Sequence, residues 1–201
     1  MRKALKVRAL IISILILLTA AGAVYVKSFL PSVSNASQMH IVSNPQKIQR
    51  GKYLATRVMV CMDCHSTRDW NFFGGPRLDT VIGRGGELFD RNAGLPGSIY
   101  AANITSAGIG NWTDGEQFQA ITTGVRKNGK PIFSIMPYDK YELLNQEDIE
   151  AVICYIRSLP SVDNKVLASE YDFPMSYIVN TIPKRASLNT ILYLRPKSTE
   201  A

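Results

Sequence analysis

The sequence predicts an all-α protein: one apolar N-terminal helix, then a small domain built on three helices. Three observations carry this. An uncharged apolar run extends from Ala9 to Val26. Thr113 with Glu116 three residues on is a helix-start pattern, in which each side chain reaches the other's backbone N–H. Ile149, Val152, Ile153, Ile156 and Leu159 recur at spacings of three and four, the period of a helix face. No internal repeat appears in the 201 residues.

Taken in order, the chain opens on a basic segment with Arg2, Lys3, Lys6 and Arg8. The apolar run that follows would be about 27 Å long as a helix, close to the ~30 Å of a bilayer core. Lys27 closes it. Basic residues ahead of the run place the N-terminus in the cytoplasm and everything after Lys27 outside the membrane. The alternative is a cleaved signal peptide, since Ala21-Gly22-Ala23 has the small-x-small form of a cleavage site. Against it, Val24-Tyr25-Val26 carries the apolar run past that point. Residues 1–27 are therefore expected to be an anchor. Residues 28–45, rich in Ser, Asn and Pro, read as a linker; 46–160 as one globular domain; and 161–201 as a C-terminal extension.

Within the domain the first helix is expected from about Pro45 to Val60. Gly51 is unusual inside it, because glycine weakens a helix interior by about 1 kcal/mol; a second helix crossing closely would account for it. The second helix starts at Thr113 and runs through Phe118 and Ile121 toward Val125. The third starts near Asn145 and stops before Pro160. Between the first two lies a long, glycine-rich stretch from Asn71 to Asn111. A compact domain rarely carries so long an irregular loop unless something organises it.

Cys61-Met62-Asp63-Cys64-His65 supplies that organiser. It is a C-x-x-C-H, the attachment signature of a c-type haem. Two thiols one helical turn apart can each add to a haem vinyl group, and the adjacent histidine then lies under the iron. A zinc site would need two more ligands, and the only other His and Cys are His40 and Cys154. A thioredoxin-like site would want a βαβ context, which is lacking. One motif means one covalently bound haem c. Cys154, among apolar neighbours, reads as a buried, inert thiol.

Of the net charge of +7, five units come from Arg2, Lys3, Lys6, Arg8 and Lys27. The remainder is nearly balanced, and two haem propionates would cancel it. The basic pI therefore belongs to the anchor and argues against nucleic-acid binding.

The iron of such a haem needs a sixth ligand. Met136, in Ile135-Met136-Pro137-Tyr138 before the last helix, is the best candidate. Its ordinary alternative is a core methionine. Met59 and Met62 stand too close to the attachment motif; Met39, Met175 and His40 are the other rivals.

These residues resemble the class I c-type cytochromes over roughly Gln46 to Pro160. Gly51 and Tyr53 look like that family's close-crossing glycine and aromatic, and Tyr155-Ile156 like the pair they meet. Gly75-Pro76-Arg77-Leu78 resembles its Gly-Pro-x-Leu, which implies that the Pro76 carbonyl accepts a hydrogen bond from the ligand histidine. Trp112 resembles the tryptophan that reaches a haem propionate. Asn103-Ile104-Thr105, Gly108-Ile109-Gly110-x-Trp112-Thr113-Asp114 and Met136-Pro137-Tyr138 look closer still to cytochrome modules of membrane-bound bacterial dehydrogenases. Those subunits often carry several haems, whereas this chain has one motif.

The resemblance implies a class I cytochrome c fold around one haem, with Cys61, Cys64, His65, Pro76, Trp112 and Met136 as cofactor-binding residues and His65 and Met136 on the iron. It implies an electron-transfer protein, not a catalyst in itself, on the outer face of the bacterial cytoplasmic membrane. Expected partners are lipid through the anchor and a dehydrogenase, quinol-oxidising complex or terminal oxidase. The alternatives are a ligand-binding or peroxidase-type haem protein, if Met136 leaves the iron open, and a mainly structural cytochrome subunit.

Overall fold

The computed structural model describes residues 2–183. Residues 184–201, part of the expected C-terminal extension, lie outside the described residues. The chain is mostly helical, with eight helices and a small antiparallel sheet among the described residues.

Helix α1 spans Arg2–Phe29 and buries none of its residues against the rest of the chain. It is long and apolar enough to cross a membrane. The Thr19 hydroxyl donates to the Leu15 and Ile16 carbonyls, so this polar group mid-run is satisfied within the helix.

Helix α2, Pro45–Tyr53, starts where Asn44 caps the Lys47 N–H at 2.8 Å and Pro45 occupies the first turn. The expected single helix to Val60 is interrupted. Residues 54–58 widen into a π turn, with the Met59 N–H donating to the Leu54 carbonyl at 2.8 Å. Val60 then takes a left-handed conformation, φ 47°, unusual for a β-branched residue. It turns the chain into α3, Cys61–His65.

Helix α7, Gln146–Ser158, buries the expected stripe, and Ile149, Val152 and Ile153 are fully enclosed. It packs against α2. A Cβ built on Gly51 would lie 1.8 Å from the Ala151 carbonyl oxygen and 2.9 Å from the Tyr155 Cβ, so only glycine fits this crossing. Lys47–Glu150 at 2.8 Å and Arg50–Asp148 at 2.9 Å fasten its rim. Tyr53 does not share in it, being 54% exposed. Two residues from Gly51 is more than half a turn round the helix; Leu54 and Ala55, three and four away, are the buried partners.

Helix α5, Asp114–Thr123, begins with the expected reciprocal cap: the Glu116 carboxylate accepts the Thr113 N–H at 2.7 Å, and the Thr113 hydroxyl accepts the Glu116 N–H at 3.2 Å. Before it lie strands β1 (Leu88–Phe89) and β2 (Gly97–Tyr100) and the single-turn helix α4 (Ser106–Ile109). After it come α6 (Tyr138–Tyr141) and, past α7, strand β3 (Glu170–Tyr171) and α8 (Met175–Ile178). The sheet order is β1-β2-β3, all antiparallel, with Phe89 opposite Ile99 and Ser98 opposite Glu170. The all-α expectation had no place for this sheet. Its strands are two to four residues long, too short to leave an alternating pattern.

Two segments read as peripheral pack onto the domain. The expected linker runs across the start of α5, where the Ile41 N–H donates to Asp114 Oδ2 at 2.7 Å and the Gln119 amide donates to the Ser34 carbonyl. Ile41 is buried in the main core. Residues 161–183, expected as an extension, add β3 to the sheet and place Val179 in a second small core with Ile99 and Phe133.

Candidate haem site

The two cores flank an apolar cavity of about 290 Å³. Cys61, Cys64 and His65 line it from α3, and Met136 lines it from the loop before α6. Ile99, Ala102, Ile121, Phe133 and Ile156 are among the apolar residues that complete it. Both thiols are partly buried there. Burial pushes Cys61 up to about 12 and raises Cys64 as well, helped by the Asp63 charge. Thiols in this setting stay protonated and unreactive toward solvent at neutral pH.

His65 is held by one specific bond. Its Nδ1 lies 2.7 Å from the Ala102 carbonyl oxygen, which can only accept, so Nδ1 carries the proton and Nε2 keeps its lone pair. Burial lowers the affinity of His65 for a second proton, the Ala102 carbonyl opposes this, and the nearby Arg126 charge adds to the lowering. The ring is thus neutral at pH 7, the form that binds a metal.

The backbone around Ala102 is built for this. Gly85, φ 67°, donates its N–H to the His65 carbonyl at 2.8 Å, and a Cβ on it would lie 2.4 Å from the Ala102 carbonyl carbon. Asn103 fixes the far side. Its carbonyl accepts from the Thr105 N–H at 3.0 Å and hydroxyl at 2.7 Å, while its amide donates to the Val162 carbonyl at 2.9 Å.

The bond expected between His65 and Pro76 is absent. Pro76 is exposed, lies outside the cavity and gives its carbonyl to the Asp69 N–H at 2.8 Å. Trp112 does line the cavity, half-buried. Of the methionines, Met136 and Met59 line it; Met39 packs on the main core, and Met175 on the second. His40 is exposed and faces Asp114 at 3.7 Å.

Sequence reasoning missed Ala102, Gln117, Arg126 and Tyr171. Arg126 is the only cation among the described residues that line the cavity. Gln117, 4% exposed, has a buried side-chain oxygen without a partner. Tyr171, from β3, stacks on Phe133 at 5.7 Å in the cavity wall. None of the four stands in a motif. The donor set fits a covalently held haem: two thiols and an imidazole on one turn, a thioether in the same apolar cavity, and a lone cation for acidic substituents.

No family model matches the chain. It is 33% identical over 117 residues to the gluconate 2-dehydrogenase cytochrome c subunit of Pantoea cypripedii, across 56% of this chain and 23% of that protein. It is 33% identical over 135 residues to the fructose dehydrogenase cytochrome subunit of Gluconobacter japonicus, across 64% and 25%. With the alcohol dehydrogenase (quinone) cytochrome c subunit of Gluconacetobacter polyoxogenes it shares 30% over 112 residues, across 54% and 21%. This chain is a relative of dehydrogenase cytochrome c subunits. The likeness expected from its motifs thus extends over more than half of this chain. The chain spans about a quarter of the length of these relatives.

Proposed function

We propose that the chain is a membrane-anchored, monohaem class I cytochrome c that carries single electrons outside the bacterial cytoplasmic membrane between redox partners such as a dehydrogenase, a quinol-oxidising complex or a terminal oxidase. The observation that carries this reading is the shared cavity: both thiols of the C-x-x-C-H, a neutral His65 with Nε2 free, and Met136 line one apolar space.

Haem c, when bound, supplies a one-electron iron couple. The protein's own residues do the rest. Cys61 and Cys64 hold the group covalently. His65 offers Nε2 to the iron while Ala102 keeps the Nδ1 proton, which orients the ring and raises its basicity. Met136 would hold the iron through its thioether, which would favour the reduced state and keep small ligands off the metal. Trp112, Gln117 and Arg126 offer hydrogen bonds and charge to the propionates. The apolar wall excludes water, which disfavours the more highly charged ferric form.

Relatives named as dehydrogenase subunits support an electron carrier over a catalyst in its own right, and helix α1 supports an anchor. Haem staining on a denaturing gel tests the attachment. The wild type should stain, and the Cys61→Ala, Cys64→Ala double variant should not. Undiminished staining of that variant would refute the site.

A further inference from the structure

We infer that residues 173–178 sit in the lipid headgroup layer beside the exit of α1, so that the haem domain rests on the bilayer through its own tail. This depends on α1 spanning the membrane, as proposed above. Lys27 is the first charge after the apolar run, and in a spanning helix its ammonium has to reach the headgroups. That ammonium lies 4.8 Å from the centre of the Tyr177 ring. Tyr177 is therefore placed at the depth where tyrosines concentrate at membrane surfaces.

The residues around it extend the same level. Phe173 meets Tyr177 edge-on at 6.2 Å and is 83% exposed. Tyr25 and Phe29, one turn apart on α1, stack at 5.4 Å. Ile178 is 42% exposed. A single exposed phenylalanine would mean little. Here two aromatic pairs and a lysine, from segments about 150 residues apart, gather at the end of one apolar helix. The adjacent acid, Asp172, accepts from Arg91 Nε at 2.9 Å and Arg91 Nη2 at 2.5 Å, so it presents no bare carboxylate to an anionic lipid. The α1 end also touches residues 179–181, which gives the domain a seat on its anchor in place of a loose tether.

The test uses the full haem-loaded chain in phosphatidylcholine–phosphatidylglycerol vesicles, with nitroxide labels at Ile178→Cys and, separately, Leu17→Cys. Collision with oxygen and with a water-soluble nickel chelate reports depth. The Leu17 label should favour oxygen strongly. The Ile178 label should show the intermediate ratio of the headgroup layer, and adding Phe173→Ser should move it toward water without changing the haem spectrum. A buried Leu17 label with a fully aqueous Ile178 label would overturn this inference and leave the anchor standing. An Ile178 label shielded from both reagents would also overturn it, in favour of a protein partner. An aqueous Leu17 label would remove the anchor itself and this inference with it.

Discussion

A backbone carbonyl decides which nitrogen of His65 is free. Ala102 takes the Nδ1 proton, and Asn103, next in the chain, holds that carbonyl in place through three hydrogen bonds. Asn103→Ala would take the side-chain acceptor from the buried Thr105 N–H and remove one hydrogen bond to the Val162 carbonyl. It should cost about 1–3 kcal/mol, measured by denaturant unfolding of the haem-loaded protein. Arg126 places a positive charge on the cavity, which disfavours the ferric state. Arg126→Gln should therefore lower the reduction potential, on the order of 59 mV for a tenfold shift in the one-electron equilibrium, read by redox titration; an unchanged or raised potential would separate Arg126 from the haem. The proposed attachment residues were legible because C-x-x-C-H packs its chemistry into five neighbours. Ala102 was not, since a carbonyl leaves no trace in residue type and this one lies 37 positions from its partner. Pro76 matched a family word, yet its carbonyl is occupied by Asp69.

At the scale of elements, α5 and α7 were readable from cap and stripe, and the α2–α7 crossing from one misplaced glycine. Gly51→Ala should force these helices apart, because the added carbon would overlap the Ala151 carbonyl. Overpacking of this kind costs about 1–3 kcal/mol or more, and thermal unfolding should show it; an unshifted midpoint would mean that the crossing is looser than described. The cap of α5 carries a pH dependence. The Thr113 N–H holds the Glu116 carboxyl below its ordinary value of 4.5, outweighing burial, with Lys127 helping. A depressed folded-state value means that the stabilisation is complete above the unfolded value and is lost as pH falls through the folded one. Glu116→Gln keeps an acceptor for the Thr113 N–H but does not titrate. The wild type should lose more stability than this variant between pH 6 and roughly pH 3, and parallel losses would contradict the assignment. The π turn at residues 54–58 and the sheet escaped the sequence because both arise from tertiary fit. Tyr53 illustrates the same limit: an aromatic near Gly51 looks like a core partner until the 3.6-residue period puts it on the outer side.

For the whole molecule, division by composition was the weakest guide. The Ser- and Pro-rich 28–45 segment places Ile41 in the core, and the segment after Pro160 contributes Tyr171 to the cavity wall. Polar residues marked these stretches as loops, but their backbones are tied down by Asp114, Asn103 and β2, whose long-range reach no local pattern encodes. The result is a cavity closed by pieces from most of the chain. Its central claim is that Met136 completes the iron's coordination and makes the protein a carrier. The direct measurement is ligand access to the purified protein: the ferric Met-to-iron charge-transfer band and carbon monoxide binding to the ferrous form, in the wild type and Met136→Ala. The wild type should show the band and resist carbon monoxide, and Met136→Ala should lose the band, bind carbon monoxide and fall in potential. A wild type without the band that binds carbon monoxide readily would contradict the account and leave a ligand-binding haem in its place.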